Sequence, residues 1–496
     1  MKILLLLPNN LGDVIMTTPV LEGLKAKYPR SHIAFFVEQG FEGGLEHNPH
    51  CDELILFPRR KIRDLLFFSP CIEGAEEIKR TLADLNQRSF DVVINLCQHH
   101  YVSYLMALIS GKNKIGQCFL RDGNHSIADD WSSYLYAIPF ARRCNSLHAI
   151  DVYRRISGAT AHRGGCTIHL TDEEKNGARE YLAARGIAPE SRTMILQPGA
   201  AYPSKRWPVD AFISLGKMLS REGWNLVITG APAEAELARG VAQGLEGPAV
   251  MSAGDLTFRQ TIALCGRAQG CITGDTALMH AAAALDIPVY ALFGPTSPFE
   301  TGPYGNGHWI FSAHCPTRPC FEFECKTLLC LKSILPETVF SCIKNGNPGA
   351  KSGCDVFRTI LTHGCDYEVA AVHGDLSGNV NQSAAWLTRK AFNDPVASGI
   401  KPREDENSQE TRDFLSVLTG MSARLNRFLG IHDAKAISDF EACKAELEKF
   451  KGIGAFWTAI LNLRLNSVPL LDPIKGVRES LRACLRTEDQ IRNALR

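Results

Sequence analysis

The sequence predicts an α/β protein: two doubly wound parallel sheets facing a cleft, followed by a small, mainly helical appendage. Three observations carry this. Short apolar runs alternate with longer stretches of helical period through the first ~340 residues, and strands alternating with helices make parallel sheets covered on both faces. The alternation falls into two series with a helical stretch between them. Past residue 345 the character changes, first to a Gly/Asn/Pro-rich segment and then to helical periodicity alone.

The first series places strands at 3–7, 33–37, 53–57 and 92–96, with one continuous helix at 14–27. A helix at 151–158, a loop around 162–165 and a further helix from Asp172 lead to the second series. That series has strands at 193–197, 225–229, 270–273 and 289–293, and helices at 209–222 and 277–285. The expected division is a first Rossmann-like domain over 1–170 and a second over 171–345, with a Cys-rich segment at 315–330. A linker without regular structure follows at 346–408, then a helical appendage at 409–496 with helices at 414–429, 434–450, 454–465 and 475–495. Ligands of such sheets bind at the carboxyl ends of the strands.

Composition narrows the class. Of 496 residues, 45% are hydrophobic and 22% charged, as in ordinary soluble domains, and the net charge of +1 gives no field that would gather nucleic acid. The apolar start ends at Pro8 with no small-residue cleavage site behind it, and no run approaches the ~18 residues of a membrane span. A cytoplasmic protein is expected. Seventeen cysteines, an odd number in a large chain, argue against a disulfide framework.

Four stretches carry chemistry. In MKILLLLPNNLGDV a strand, a polar turn and a helix place Asp13 where such folds usually seat a phosphate, which a carboxylate would repel. In LQPGAAYPSKRWP a small-residue turn delivers Lys205 to a strand end, as an anion site requires; a solvated Lys-Arg pair is the other reading. In ITGDTALMHAAAAL the strand ends at Gly274, Asp275 and Thr276, and a helix opens with Ala277 and Leu278. Its free N–H groups suit an anion, while Asp275 or Thr276 also reads as a plain N-cap. His280 on that apolar helix reads as a packed side chain. In TGAPAEAELARGV, Glu234 follows a strand end, placed to accept ribose hydroxyls or to complement a helix dipole.

Together LGDVIMTTPVL, HAIDVYRRISGA, PGAAYPSKRWP, ITGDTALMHAAAAL and FGPTSP, in this order over residues 1–345, resemble glycosyltransferase family 9, the ADP-heptose:lipopolysaccharide heptosyltransferases, most nearly the heptosyltransferase II type. The resemblance implies a GT-B fold, an acceptor on the first domain, a nucleotide sugar on the second, and inverting transfer of heptose without a metal. It implies that Asp13 is the general base and that Lys205 and the 275–278 helix start hold the diphosphate. Asp275 would contact donor sugar hydroxyls, with Gly274, Thr276, Ala277, Leu278 and His280 beside it. Glu234 would bind the ribose, with Glu236 as the competing choice. In FPRRKIRDLL, Arg59, Arg60 and Arg63 would meet the anionic groups of a lipopolysaccharide core acceptor. The implied partners are ADP-heptose, that acceptor and, peripherally, the cytoplasmic face of the inner membrane. The same resemblance leaves room for a protein or other surface-glycan acceptor, and for a nucleotide-sugar-binding subunit without catalysis.

HCPTRPCFEFECKTLLCLKSI sets Cys315, Cys320, Cys325 and Cys330 at steps of five. Zinc motifs contain C-x₂₋₄-C pairs, so a repeated C-x₄-C stands at the edge of that rule. A tight loop could still gather the four thiolates around Zn or Fe, in a structural role; the other reading is four reduced thiols.

Overall fold

The apolar start of the chain forms the central strand of the first sheet, β1 (Lys2–Leu6), whose Leu4, Leu5 and Leu6 are fully buried. A strand covered on both faces reads as a continuous apolar run. The computed structural model describes residues 1–374 apart from 69–70, 120–124, 128, 141, 143–144, 146, 161–163, 248, 316, 326, 328–329, 350–351 and 363–365. Beyond these it describes 412–413, 416–417, 419, 421, 442, 444–447, 457–459, 461 and 473–495.

β1 is flanked by β2 (His32–Glu38) and β3 (Glu53–Phe57) on one side and by β4 (Phe90–Asn95) and β5 (Gly111–Ile115) on the other, all parallel, in the order β3-β2-β1-β4-β5. The connecting helices are α1 (Leu11–Met16), α2 (Thr18–Lys27), α3 (Arg59–Phe68), α4 (Cys71–Gln87) and α5 (His100–Leu108). The expected single helix at 14–27 is broken. Thr17 and Thr18 turn their hydroxyls onto the carbonyls of Val14 and Ile15, and Pro19 has no N–H to continue the ladder. A two-stranded ribbon, β6 (Cys118–Phe119) and β7 (His125–Ser126), precedes α6 (Asp130–Ala137), α7 (Ala149–Ser157) and α8 (Asp172–Ala183).

The second sheet has the order β10-β9-β8-β11-β12-β13-β14-β15. Its parallel strands are β8 (Thr193–Gln197), β9 (Asn225–Ile228), β10 (Ala249–Met251), β11 (Gly270–Gly274), β12 (Val289–Phe293) and β13 (Trp309–Ala313). Helices α9 (Val209–Arg221), α10 (Ala235–Gly244), α11 (Phe258–Cys265), α12 (Ala277–Ala284), α13 (Pro298–Thr301) and α14 (Pro336–Asn345) connect or cover them. The stretch expected to be an irregular linker at 346–408 departs from that reading over its first part. There β14 (Cys354–Thr362) and β15 (Asp366–His373) form an antiparallel hairpin that pairs with β13 and extends the sheet. β14 is buried over its first four residues and then exposes Arg358 and Ile360, while β15 is exposed over 371–373, and Asp355, Arg358, Asp366 and Glu368 interrupt any apolar run that would announce them.

Helix α7, from the HAIDVYRRISGA motif, fastens this hairpin to the first lobe. Buried Asp151 accepts from the Tyr304 hydroxyl at 2.6 Å and from the Tyr367 N–H at 3.1 Å. Arg155 pairs with Asp366 at 3.2 Å, and His148 Nε2 lies 3.0 Å from the Gly302 carbonyl. The last helix, α15 (Pro473–Leu495), buries Leu481, Cys484 and Ile491, and its Arg486 pairs with Asp130 of α6 at 2.6 Å. Met421, Leu447 and Trp457 join the same core. The expected helices at 414–429, 434–450 and 454–465 lie largely outside the described residues.

Candidate active site at the carboxyl edges of the two sheets

The turn after β1 passes through Asn10 in the left-handed region (φ 58°), a conformation that Asn tolerates better than most side chains. From there the Asn10 amide donates to Asp13 Oδ2 at 2.8 Å, which orients the carboxylate at the first turn of α1. Asp13 is partly open to the cleft, yet the two lobes enclose it enough that burial is the largest influence on its proton affinity. Burial pushes its pKa up to about 6; the Asn10 bond works against this, Asp275 and Glu300 add to it, and Lys205 opposes it. A carboxylate near 6 is ionised at neutral pH but basic enough to take a proton from a hydroxyl as that hydroxyl attacks.

Across the cleft, β8 runs into a short 3₁₀ turn, Pro203–Lys205, and Lys205 Nζ donates to Asp275 Oδ2 at 2.7 Å. Burial alone would raise the Asp275 pKa, but the Lys205 charge and hydrogen bond outweigh it and hold it below the usual carboxylate value. Gly274 lets the end of β11 and that turn approach closely, since a Cβ there would stand 3.0 Å from the Lys205 carbonyl oxygen. The Thr276 hydroxyl lies 2.8 Å from Gln197 Oε1 and does not cap α12. Ala277 and Leu278 open α12, and the first N–H groups of a helix have no intrahelical acceptor. A cation and a helix N-terminus thus converge beside one another, the arrangement an anion binds best.

His280 is 3% exposed, and burial lowers its pKa to about 4, so it is neutral. Its Nδ1 has no hydrogen-bond partner among the described residues. Its ring faces the first lobe: a Cβ on Gly12 would lie 3.0 Å from His280 Cδ2. Glu234 sits on the turn after β9, where it accepts from the Ala231 N–H at 2.9 Å, against Gly199 and Gly230. Glu236 is exposed on the first turn of α10, away from that contact.

The arginines of α3 divide. Arg59 bonds Glu38 at 2.5 Å and lies over the Tyr101 ring, whose hydroxyl bonds Asn9 in the turn before Asp13. Arg60 is exposed, and Arg63 is bound to its neighbour Asp64 at 2.8 Å. Of the two readings of the four-cysteine loop, a metal site and reduced thiols, the first finds no support among the described residues, where no three His, Cys, Asp or Glu side chains are grouped to hold an ion. Cys315 and Cys325 turn instead to the hydroxyls of Thr317 and Thr327, at 3.2 and 3.3 Å. The loop has another use, since Phe323 stacks on Tyr202 and lies 5.6 Å from Lys205 Nζ. Sequence reasoning also missed Arg142, Asn145 and Glu300, which meet at the edge of this site. Glu300 is the second residue after FGPTSP, but nothing in the sequence marks its partners.

The two facing α/β lobes, with Asp13 on one and Lys205 beside the start of α12 on the other, make a GT-B fold. The model of glycosyltransferase family 9 (heptosyltransferase) matches residues 78–330, just over half of the chain, and the protein belongs to that family. A lipopolysaccharide heptosyltransferase 1 of Pseudomonas aeruginosa is 27% identical over 326 residues, 66% of this chain and 87% of the relative. A lipopolysaccharide heptosyltransferase 2 of Salmonella typhimurium is 24% identical over 318 residues, 61% of this chain and 85% of the relative. Among solved structures, a family 9 glycosyl transferase from Veillonella parvula superposes with a TM-score of 0.59 at 24% identity, covering 69% of this chain and 96% of that one. The ADP-heptose lipopolysaccharide heptosyltransferase II of E. coli gives 0.53 at 20% identity, covering 69% and 97%. Both structures share the fold.

Proposed function

We propose that the protein is an inverting glycosyltransferase that moves heptose from ADP-heptose to an inner-core lipopolysaccharide acceptor. The observation that carries this reading is the opposition of Asp13, on the first lobe, to Lys205 and the α12 start on the second. In-line displacement at an anomeric carbon needs a base on one side and a stabilised leaving group on the other. Asp13 takes the acceptor hydroxyl proton. Lys205 leaves Asp275 for the diphosphate and neutralises the charge that grows as the glycosidic bond breaks. Asp275, so released, accepts from donor sugar hydroxyls, and Glu234 accepts from the ribose. No metal is needed in this scheme, because the ammonium and the helix N–H groups supply the positive field.

The acceptor lies along α3, with Arg59 and Arg60 meeting its anionic groups. The far end of α3 supports contact with the bilayer that carries such an acceptor. Phe67 and Phe68 are 77% and 84% exposed, and Ile72 at the start of α4 is 63% exposed. No described helix is long and apolar enough to cross a membrane, so this contact is peripheral.

The donor half is tested by thermal shift with ADP, UDP, GDP and CMP, on the wild type and on Lys205→Ala. A ligand that binds only the folded state raises Tm by mass action. A shift selective for ADP and lost in the variant supports the reading. A shift selective for UDP or GDP overturns the ADP-heptose donor, and no shift with any of them favours a non-catalytic protein.

A further inference from the structure

The two lobes are joined at the edge of the site by three side chains that the catalytic scheme does not use. Arg142, from the segment after α6, donates from Nη1 to Glu300 Oε1 at 2.9 Å. Asn145 donates from Nδ2 to the other carboxylate oxygen, Oε2, at 3.2 Å. Each Glu300 oxygen is thus engaged by the first lobe, although Glu300 itself belongs to α13 of the second. Asn145 is fixed in turn: its Oδ1 accepts from the Tyr134 hydroxyl at 2.8 Å and from the Leu147 N–H at 3.2 Å. The Arg142 guanidinium also lies 4.0 Å from the centroid of the Phe321 ring. Phe321 is anchored to the second lobe, since its N–H and that of Cys320 both donate to the Pro295 carbonyl. Arg142 is therefore held by two groups of the opposite lobe at once, a buried carboxylate and an aromatic face.

This junction lies next to the chemistry. Thr301, the residue after Glu300, directs its hydroxyl at Asp275 Oδ1 at 3.4 Å. Glu300 and Asp13 are within electrostatic reach of each other. We propose that Arg142 and Glu300 form a clasp, with Asn145 as its fixed seat, that sets the separation at which Asp13 faces Lys205 and Asp275. They are positioning residues for the transfer step. The inference rests on the proposed glycosyl transfer for its kinetic consequence and on the geometry alone for its structural one.

The Glu300 carboxylate is enclosed while Arg142 is only partly so, and removing Arg142 leaves that enclosed charge without its partner. Distances at a reacting centre are unforgiving, and a displacement of about 1 Å costs roughly 10²-fold in rate. The test uses the full chain as wild type, Glu300→Gln, Glu300→Ala, Arg142→Ala and Arg142→Lys. It reads kcat with ADP-heptose and acceptor, ADP affinity by calorimetry, and the interlobe distance between spin labels on exposed sites of α4 and α9, with ADP bound. The clasp predicts a fall in kcat of roughly 10²-fold for Glu300→Ala and Arg142→Ala, with ADP affinity unchanged. It predicts a longer or broader interlobe distance in both, and recovery of both readouts in Arg142→Lys.

Glu300→Gln adds a readout that plain loss of stability would not move. The groups facing Asp13 are Asn10, Asp275, Glu300, Lys205, and the uncharged Tyr153 and Cys97. Removing the Glu300 charge lowers the proton affinity of Asp13, so the acid limb of the rate profile moves to lower pH. Wild-type kcat and distance in both alanine variants would overturn the clasp while leaving the transferase reading intact. An inactive wild type with a distance that still widens in the variants would overturn the transferase reading and keep the clasp.

Discussion

At the residue scale the account turns on one carboxylate. Asp13 is enclosed and faces two further carboxylates, so its pKa lies at about 6, and a base must be deprotonated to act. Turnover is expected to fall about tenfold per pH unit below that value and to be flat above it, as a kcat profile from pH 4.5 to 8 would show. Lys205 lowers the Asp13 pKa, so Lys205→Ala should move the same limb to higher pH while it weakens ADP binding. A limb unmoved by that substitution would place Lys205 outside the field of the base.

At the scale of elements, the site is made of strand ends and the helices that leave them. Gly12 opens α1 against His280 of α12, where a Cβ would come within 3.0 Å of the imidazole. Gly12→Ala should therefore push the lobes apart, destabilise by about 1–3 kcal/mol and reduce kcat more than ADP affinity. Helix α3 makes a separate prediction. Phe67→Ser with Phe68→Ser should abolish sedimentation with phospholipid vesicles and leave turnover on a delipidated acceptor unchanged; retained vesicle binding would remove α3 from the bilayer contact.

The same scale shows what the sequence made legible. Strands β1, β3, β8, β11 and β12 are short apolar runs followed by glycine or polar turns, and the residues that end them were readable for that reason. β5, with the sequence GKNKI, is a polar edge strand and lacks that signature. β14 and β15 went unread because they extend the sheet as an antiparallel hairpin rather than as strands alternating with helices, with exposed positions along it. Asp13, Lys205 and Asp275 were legible as candidates because each lies in the segment that leaves the carboxyl end of a strand. Arg142 and Glu300 were not, since their meaning lies in a contact between residues 158 positions apart.

At the scale of the whole molecule, the lobes are fastened by a buried network that also explains HAIDVYRRISGA. Asp151, Arg154, Tyr304 and Tyr367 bind one another between α7 and the β14–β15 hairpin. Asp151→Ala strips a buried acceptor from these groups and leaves the enclosed Arg154 charge without it, a loss of about 3–5 kcal/mol that calorimetric unfolding would register. A change under ~1 kcal/mol would mean the network is not what holds the hairpin. Helix α15 belongs to the same body, since it pairs with α6 and its buried residues join a hydrophobic core shared by both lobes.

The most direct test of the central claim is transfer of heptose from ADP-heptose to an inner-core acceptor by Asp13→Asn, with ADP-heptose binding measured on the same protein. The account predicts that kcat falls by roughly 10²–10⁴-fold while donor affinity stays within about twofold, because the base is lost and the diphosphate site is untouched. Turnover at the wild-type rate would contradict it, and the base would then have to be sought elsewhere in the cleft.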